Sequence, residues 1–99
     1  MFNHIILFNF SKNVKDNNKE KEAFESLKAS VLTLLKIEEV VDAQIYLNES
    51  QSSDLVFLVK VKDRDSLKLY QNNTIHVKHA NRMKDLVERV ESIDFISEE

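Results

Sequence analysis

Tyr70 and His76 stand six residues apart at the entry to a predicted helix, which places a phenol near an imidazole. An imidazole with its ordinary pKa near ~6.5 takes up a proton at neutral pH. A phenol donates a hydrogen bond to a developing enolate oxygen. The pair therefore suits carbon-acid chemistry such as aldol condensation, or hydration. It equally suits a structural role, with Tyr70 packed under the helix and His76 hydrogen-bonded near its first turn. His4 lies at the other end of the chain, on a strand face shared with Ile6 and Phe8. It reads as a core histidine or as a member of the same cavity. His79 follows His76 by three residues, so both fall near one helix face. A metal site there needs a third ligand. No Asp or Glu is placed to supply it, so no metal is expected. His79, among Lys78, Asn81 and Arg82, reads as solvated.

Phe2 to Phe10 is rich in β-branched and aromatic residues and predicts a strand. Ser11 to Lys19 reads as a polar loop. Asn18 to Lys36 predicts a helix, with Phe24, Leu27, Val31, Leu34 and Leu35 forming one stripe at spacings of three and four. Val40 to Asn48 and Asp54 to Lys62 predict two strands around the turn-forming Asn48 to Ser53. A short helix follows from Asp63 to Tyr70, with Asp63 or Asp65 as its cap. A further helix runs from Thr74, its expected cap, to about Val87. The tail from about Arg89 to Ile96 alternates and predicts a fourth strand.

The order β-α-β-β-α-β is the ferredoxin-like pattern, an α+β fold with a four-stranded antiparallel sheet and helices on one face. Helices cover one face only. Yet the first and third strands are apolar on both, which leaves Ile5, Leu7, Val56 and Leu58 without an internal cover. A second sheet from a second copy is the simplest cover, so a homodimer is expected through those four residues.

Composition narrows the function. Ninety-nine residues make one domain, 1–99, of ordinary size with a small core. The absence of cysteine removes disulfides, thiolate nucleophiles and cysteine-based metal sites. The absence of glycine excludes phosphate-cradling loops of the Walker and Rossmann types, in which the backbone must approach the ligand closely. No cofactor is expected. A net charge of −3 favours neither a nucleic-acid backbone nor an anionic membrane. The apolar runs fall short of the ~18 residues of a membrane span. The opening residues lack the order of a signal peptide. A cytoplasmic protein is expected.

His4-Ile5-Ile6-Leu7-Phe8-Asn9-Phe10 resembles the "H-hydrophobic-LFKF" opening of the stress-responsive dimeric α/β-barrel (Dabb) domains. Asp54-Leu55-Val56-Phe57 resembles their "D-L-V-L" third strand. Ser66-Leu67-Lys68-Leu69-Tyr70-Gln71, with His76, resembles their "S-hydrophobic-YQ-x-HP-x-H" signature. Ile93-Asp94-Phe95 resembles their closing "V-D-Y/F". The match spans nearly the whole chain in order. It departs at Asn73-Thr74, where the family often has His-Pro. The resemblance implies a homodimer of face-to-face sheets and a cavity between sheet and helices in each subunit. Most members have no assigned activity, and a few plant members are polyketide cyclases. In those, a tyrosine and a histidine matching Tyr70 and His76 serve an aldol-type ring closure, and a histidine matching His4 lies in the pocket. A further pocket histidine falls here on Leu55, and the first signature histidine on Asn73.

Three functions fit these residues. One is a small-molecule binding or stress-associated domain without turnover. The second is a cofactor-free enzyme, polyketide-cyclase-like or small-monooxygenase-like, with His76 as base and Tyr70 as donor. The third is a structural dimer whose cavity is filled by side chains. The first two require an open cavity lined by His4, Ile6, Phe8, Phe24, Leu55, Phe57, Tyr70 and His76, suited to an apolar or aromatic molecule.

Overall fold

In the computed structural model, which describes residues 1–98, the chain runs β1 (Phe2–Phe10), α1 (Lys12–Asp16), α2 (Glu20–Thr33), a 3-10 turn (Leu34–Lys36), β2 (Val40–Leu47), β3 (Leu55–Val61), α3 (Arg64–Asn72), α4 (Thr74–Met83) and β4 (Val87–Ile96). The four strands form one sheet in the order β2-β3-β1-β4. Every pairing is antiparallel. This is the ferredoxin-like α+β fold. The two strands with apolar residues on both faces, β1 and β3, are the two in the middle, where each face has neighbours to pack against.

Strand alternation sorts the side chains. Leu55, Phe57, Val59 and Val61 of β3 face the helices and are buried, with Ala43 and Ile45 of β2 beside them. Leu27, Val31 and Leu34 close over them from the helix layer. The expected stripe turns slightly. Ala23 and Ser30 are buried in it, while Phe24 is only partly buried and Leu35, inside the tightened 3-10 turn, is exposed.

Three helices start at side-chain caps, whereas α2 begins at Lys19 without one, and two of the capped starts differ from expectation. The predicted loop after β1 contains α1, because the Ser11 hydroxyl accepts from the Val14 N–H and starts a turn. Asp63 caps α3 by accepting from the Ser66 N–H. Asn73, not Thr74, caps α4 by accepting from the Ile75 N–H at 2.8 Å. The Asn73 N–H also donates to the Tyr70 carbonyl, so one residue ends α3 and begins α4. That joint holds Tyr70 close to His76.

A chain without glycine must make its turns from other residues. The left-handed position between α1 and α2 is taken by Asn18, at φ 53°, a residue that tolerates that region. The β2–β3 turn is tied by Asn48, whose amide donates to the hydroxyls of Ser50, Ser52 and Ser53. Asp54 accepts from the Phe10 N–H and from Lys15, each at 2.9 Å, and so secures the end of β1.

Candidate functional site

A cavity of about 360 Å3 opens between the helix-facing side of β1 and the α3–α4 pair. Ile6 and Phe8 of β1 and Phe57 of β3 form its apolar floor, and Met83 and Val87 close one end. Tyr70, Gln71 and His76 form the opposite end, at the joint between α3 and α4. His4 enters from the sheet and His79 from the middle of α4.

The three imidazoles share one arrangement: in each, Nδ1 is engaged by the protein, which leaves Nε2 as the nitrogen available to the cavity. His76 Nδ1 lies 3.0 Å from the Gln71 carbonyl oxygen. A carbonyl only accepts, so Nδ1 carries the hydrogen and a neutral His76 has its lone pair on Nε2. His4 Nδ1 lies 2.5 Å from Asp94 Oδ1 and donates to it. His79 Nδ1 lies 2.8 Å from the Ser30 hydroxyl. That hydroxyl also accepts from Arg82 Nε at 2.9 Å, and the Arg82 guanidinium reaches the Thr33 hydroxyl at 3.2 Å, tying α4 to α2.

Burial adjusts the chemistry. Tyr70 is 2% exposed, and desolvation raises its pKa well above the ordinary phenol value, so it stays a hydrogen-bond donor. Its hydroxyl has no hydrogen-bond partner among the described residues, and none of their enclosed polar side-chain atoms lacks one. The oxygen must therefore open on to the cavity. The Tyr70 and His76 rings meet edge to face with centroids 4.6 Å apart. His76 is held below the usual histidine pKa, first by burial and then by the nearby His4, against the raising effect of the Gln71 carbonyl. His79 is pushed down to about 4, chiefly by burial, with His76 and Arg82 adding repulsion.

The expectation that His79 is solvated is corrected: it is 2% exposed, stacked on Phe57 with centroids 5.9 Å apart. Its polar neighbours Lys78, Asn81 and Arg82 hid this. The spacing of three from His76, which puts both on the cavity side of α4, was the signal that pointed the other way. No cluster of three potential metal ligands occurs among the described residues.

Of the expected lining, the structure brings together His4, Ile6, Phe8, Phe57, Tyr70 and His76. Phe24 and Leu55 lie elsewhere. Phe24 borders a separate surface depression with Phe10 and Leu47, under the Lys28 ammonium 5.1 Å from its ring. Leu55 has the right face but is wholly enclosed in the core. Asp94, Gln71, Lys84 and Arg89 are additions that only register and helix packing reveal.

The stress responsive A/B barrel domain model, Dabb, matches residues 2–97. The chain belongs to that family. Several proteins of known structure share its fold at low identity. A dimeric ferredoxin-like protein of unknown function from Bacteroides fragilis is 20% identical, over 95% of this chain and 93% of its own, with a TM-score of 0.78. A Dabb family protein with a ferredoxin-like fold from Mesorhizobium loti is 20% identical, over 97% and 95%, with a TM-score of 0.75. SnoaB, a cofactor-independent oxygenase from Streptomyces nogalater, is 14% identical, over 99% and 93%, with a TM-score of 0.75. No curated protein matches this Dabb chain closely enough to carry an argument. Among the described residues no helix is long and apolar enough to cross a membrane.

Proposed function

We propose that this Dabb domain is a homodimer that binds a small apolar or aromatic molecule in the cavity between sheet and helices. The observation that carries the reading is the cavity itself: an apolar floor faced by one phenol and three imidazoles, each with a polar atom left for a ligand. Its size falls within the ~300–1,000 Å3 of small-molecule sites, which are mostly apolar with a few convergent polar groups. Soaking crystals with apolar aromatic probes should place them against Phe8, Phe57 and His76. Density only on the open sheet face would overturn the reading in favour of a purely structural dimer. The lack of cysteine supports the cytoplasm as its compartment.

The dimer rests on the other face of the sheet. Ile5, Leu7, Val56 and Leu58 are half-buried there in the isolated chain, with Tyr46, Ile93 and Phe95 exposed around them. Covering what remains exposed of the four should contribute a fraction of the roughly 1.5–3 kcal/mol that full burial of each side chain from water is worth. The Bacteroides fragilis protein is described as dimeric. Sedimentation that shows only monomer at micromolar concentration would rule the homodimer out.

A second reading, cofactor-free catalysis, is favoured by the free Nε2 of His76 beside the unpartnered Tyr70 hydroxyl. His76 takes the proton from a carbon next to a carbonyl, and Tyr70 donates to the enolate oxygen. The enolate carbon then forms a bond to a second carbonyl carbon, whose alkoxide recovers the proton from the imidazolium. SnoaB, described as a cofactor-independent oxygenase, shares the fold. Turnover should fall on the acid side as His76 protonates. Because its pKa is lowered, the fall should begin below the usual histidine range. A pH profile flat through and below that range would overturn the assignment.

A further inference from the structure

The cavity is electrically lopsided. Beyond Met83, its wall is completed by Lys84, at the end of α4, and by Arg89, near the start of β4. Both side chains are exposed, and neither has an ion-pair or hydrogen-bond partner among the described residues. Among the described residues no carboxylate lines the cavity. The acidic residues nearby are turned away or engaged. Strand pairing sets Arg89 opposite Phe8, on the helix side, whereas Glu88 opposes Asn9 and Glu91 opposes Leu7, on the open side. Asp85 borders a different depression, against α1 and α2. Asp94 is on the helix side but holds His4.

We propose that Lys84 and Arg89 form a subsite for an anionic group, of the carboxylate class, at one end of the ligand. The inference rests on the cavity being a small-molecule site and adds the ligand's charge and shape. A cation at a helix C-terminus also complements the helix dipole, which accounts for Lys84 in isolation. It does not account for Arg89, which sits on a strand and faces the same space. Eight positions separate His76 from Lys84, about 12 Å at the α-helical rise. The ligand is therefore elongated, with an apolar middle over Phe8 and Phe57, its anionic end at Lys84 and Arg89, and its other end at Tyr70 and His76. Two exposed cations give modest binding energy, and with it a modest preference for a charged group over its neutral counterpart.

The test uses naphthoate and its neutral analogue naphthalenemethanol, titrated into the wild-type protein and into a Lys84→Gln/Arg89→Gln variant. The wild type should bind naphthoate more tightly by roughly five- to tenfold, a preference that narrows at high salt. The variant should lose that preference and bind the alcohol as the wild type does. Equal affinity of the wild type for both probes, or a preference that survives in the variant, overturns the anionic subsite while leaving the cavity reading in place. Failure of both probes to bind either protein overturns the cavity reading and this inference with it.

Discussion

The two faces of one sheet meet opposite fates. On β3, Val59 points to the helices and is fully buried, while its neighbour Leu58 points the other way and is only half-covered. On the helix side, apolar residues close into a core except where β1 faces α3 and α4, and there the packing leaves a cavity with polar groups anchored around it. On the open side, apolar residues form a continuous surface flanked by Ile93 and Phe95, 44% and 45% exposed. The covered face has the chemistry of a ligand site, whereas the open face carries apolar area for a partner. A small core stabilises its fold with one face and has the other available for assembly.

The contrast is broken most directly by placing a charge on adjacent residues. Val59→Asp buries an unpaired carboxylate, which costs enough to abolish a fold of ordinary stability. Leu58→Asp should leave a folded monomer, because its carboxylate stays in water. Circular dichroism and sedimentation on both variants separate these outcomes. A Leu58→Asp protein that remains dimeric would show that the open face is not the interface. Leu7→Lys should act like Leu58→Asp.

Within the covered face, the cavity groups should matter for ligand or turnover and little for assembly. If the domain is catalytic, His76→Ala should lower turnover by roughly 10²–10⁴-fold, the usual contribution of a positioned acid or base. Tyr70→Phe should lower it too, with the dimer intact by sedimentation. Full activity in His76→Ala would leave His76 as a structural residue of the first turn of α4.

His79 gives the covered face a pH dependence. Its pKa falls from 6.5 to about 4 on folding. The unfolded chain therefore binds the proton that the native one refuses. The neutral-ring contribution is complete above about pH 6.5 and is lost as the pH falls towards 4, to a total of up to about 3 kcal/mol. Denaturant melts across that range should show the loss in the wild type and a shallower one in His79→Asn. Identical slopes would mean that His79 titrates normally.

The smallest effect is at the α3–α4 joint. Asn73→Ala removes the cap of α4 and should cost about 1 kcal/mol, measured by thermal melting. It should also weaken binding of aromatic probes, since Tyr70 and His76 are aligned across that residue. A loss of stability with unchanged binding would separate the cap from the site.

The reach of the sequence can be traced residue by residue. Period-two patterning identified β1 and β3 and assigned Ile5, Leu7, Val56 and Leu58 to one face and Phe57 and Val59 to the other. Side-chain alternation is local, and any sheet built from those strands must respect it. The ordered motifs around His4, Tyr70 and His76 indicated the family, and those three residues do meet in one cavity. Other features depended on contacts between distant segments. Asp94 reaches His4 across 90 positions because β4 pairs with β1 in one particular register. Arg89 turns to the cavity only because a register shift follows Leu7. His79 is buried because α4 packs on α2 through Ser30 and Arg82, despite the polar residues around it in the chain. Leu55 and Phe57 share a strand face, yet one is sealed in the core and the other borders the cavity. Periodicity specifies the side of the sheet to which a residue points. What lies opposite it is decided by register and helix packing, which are properties of the whole folded chain.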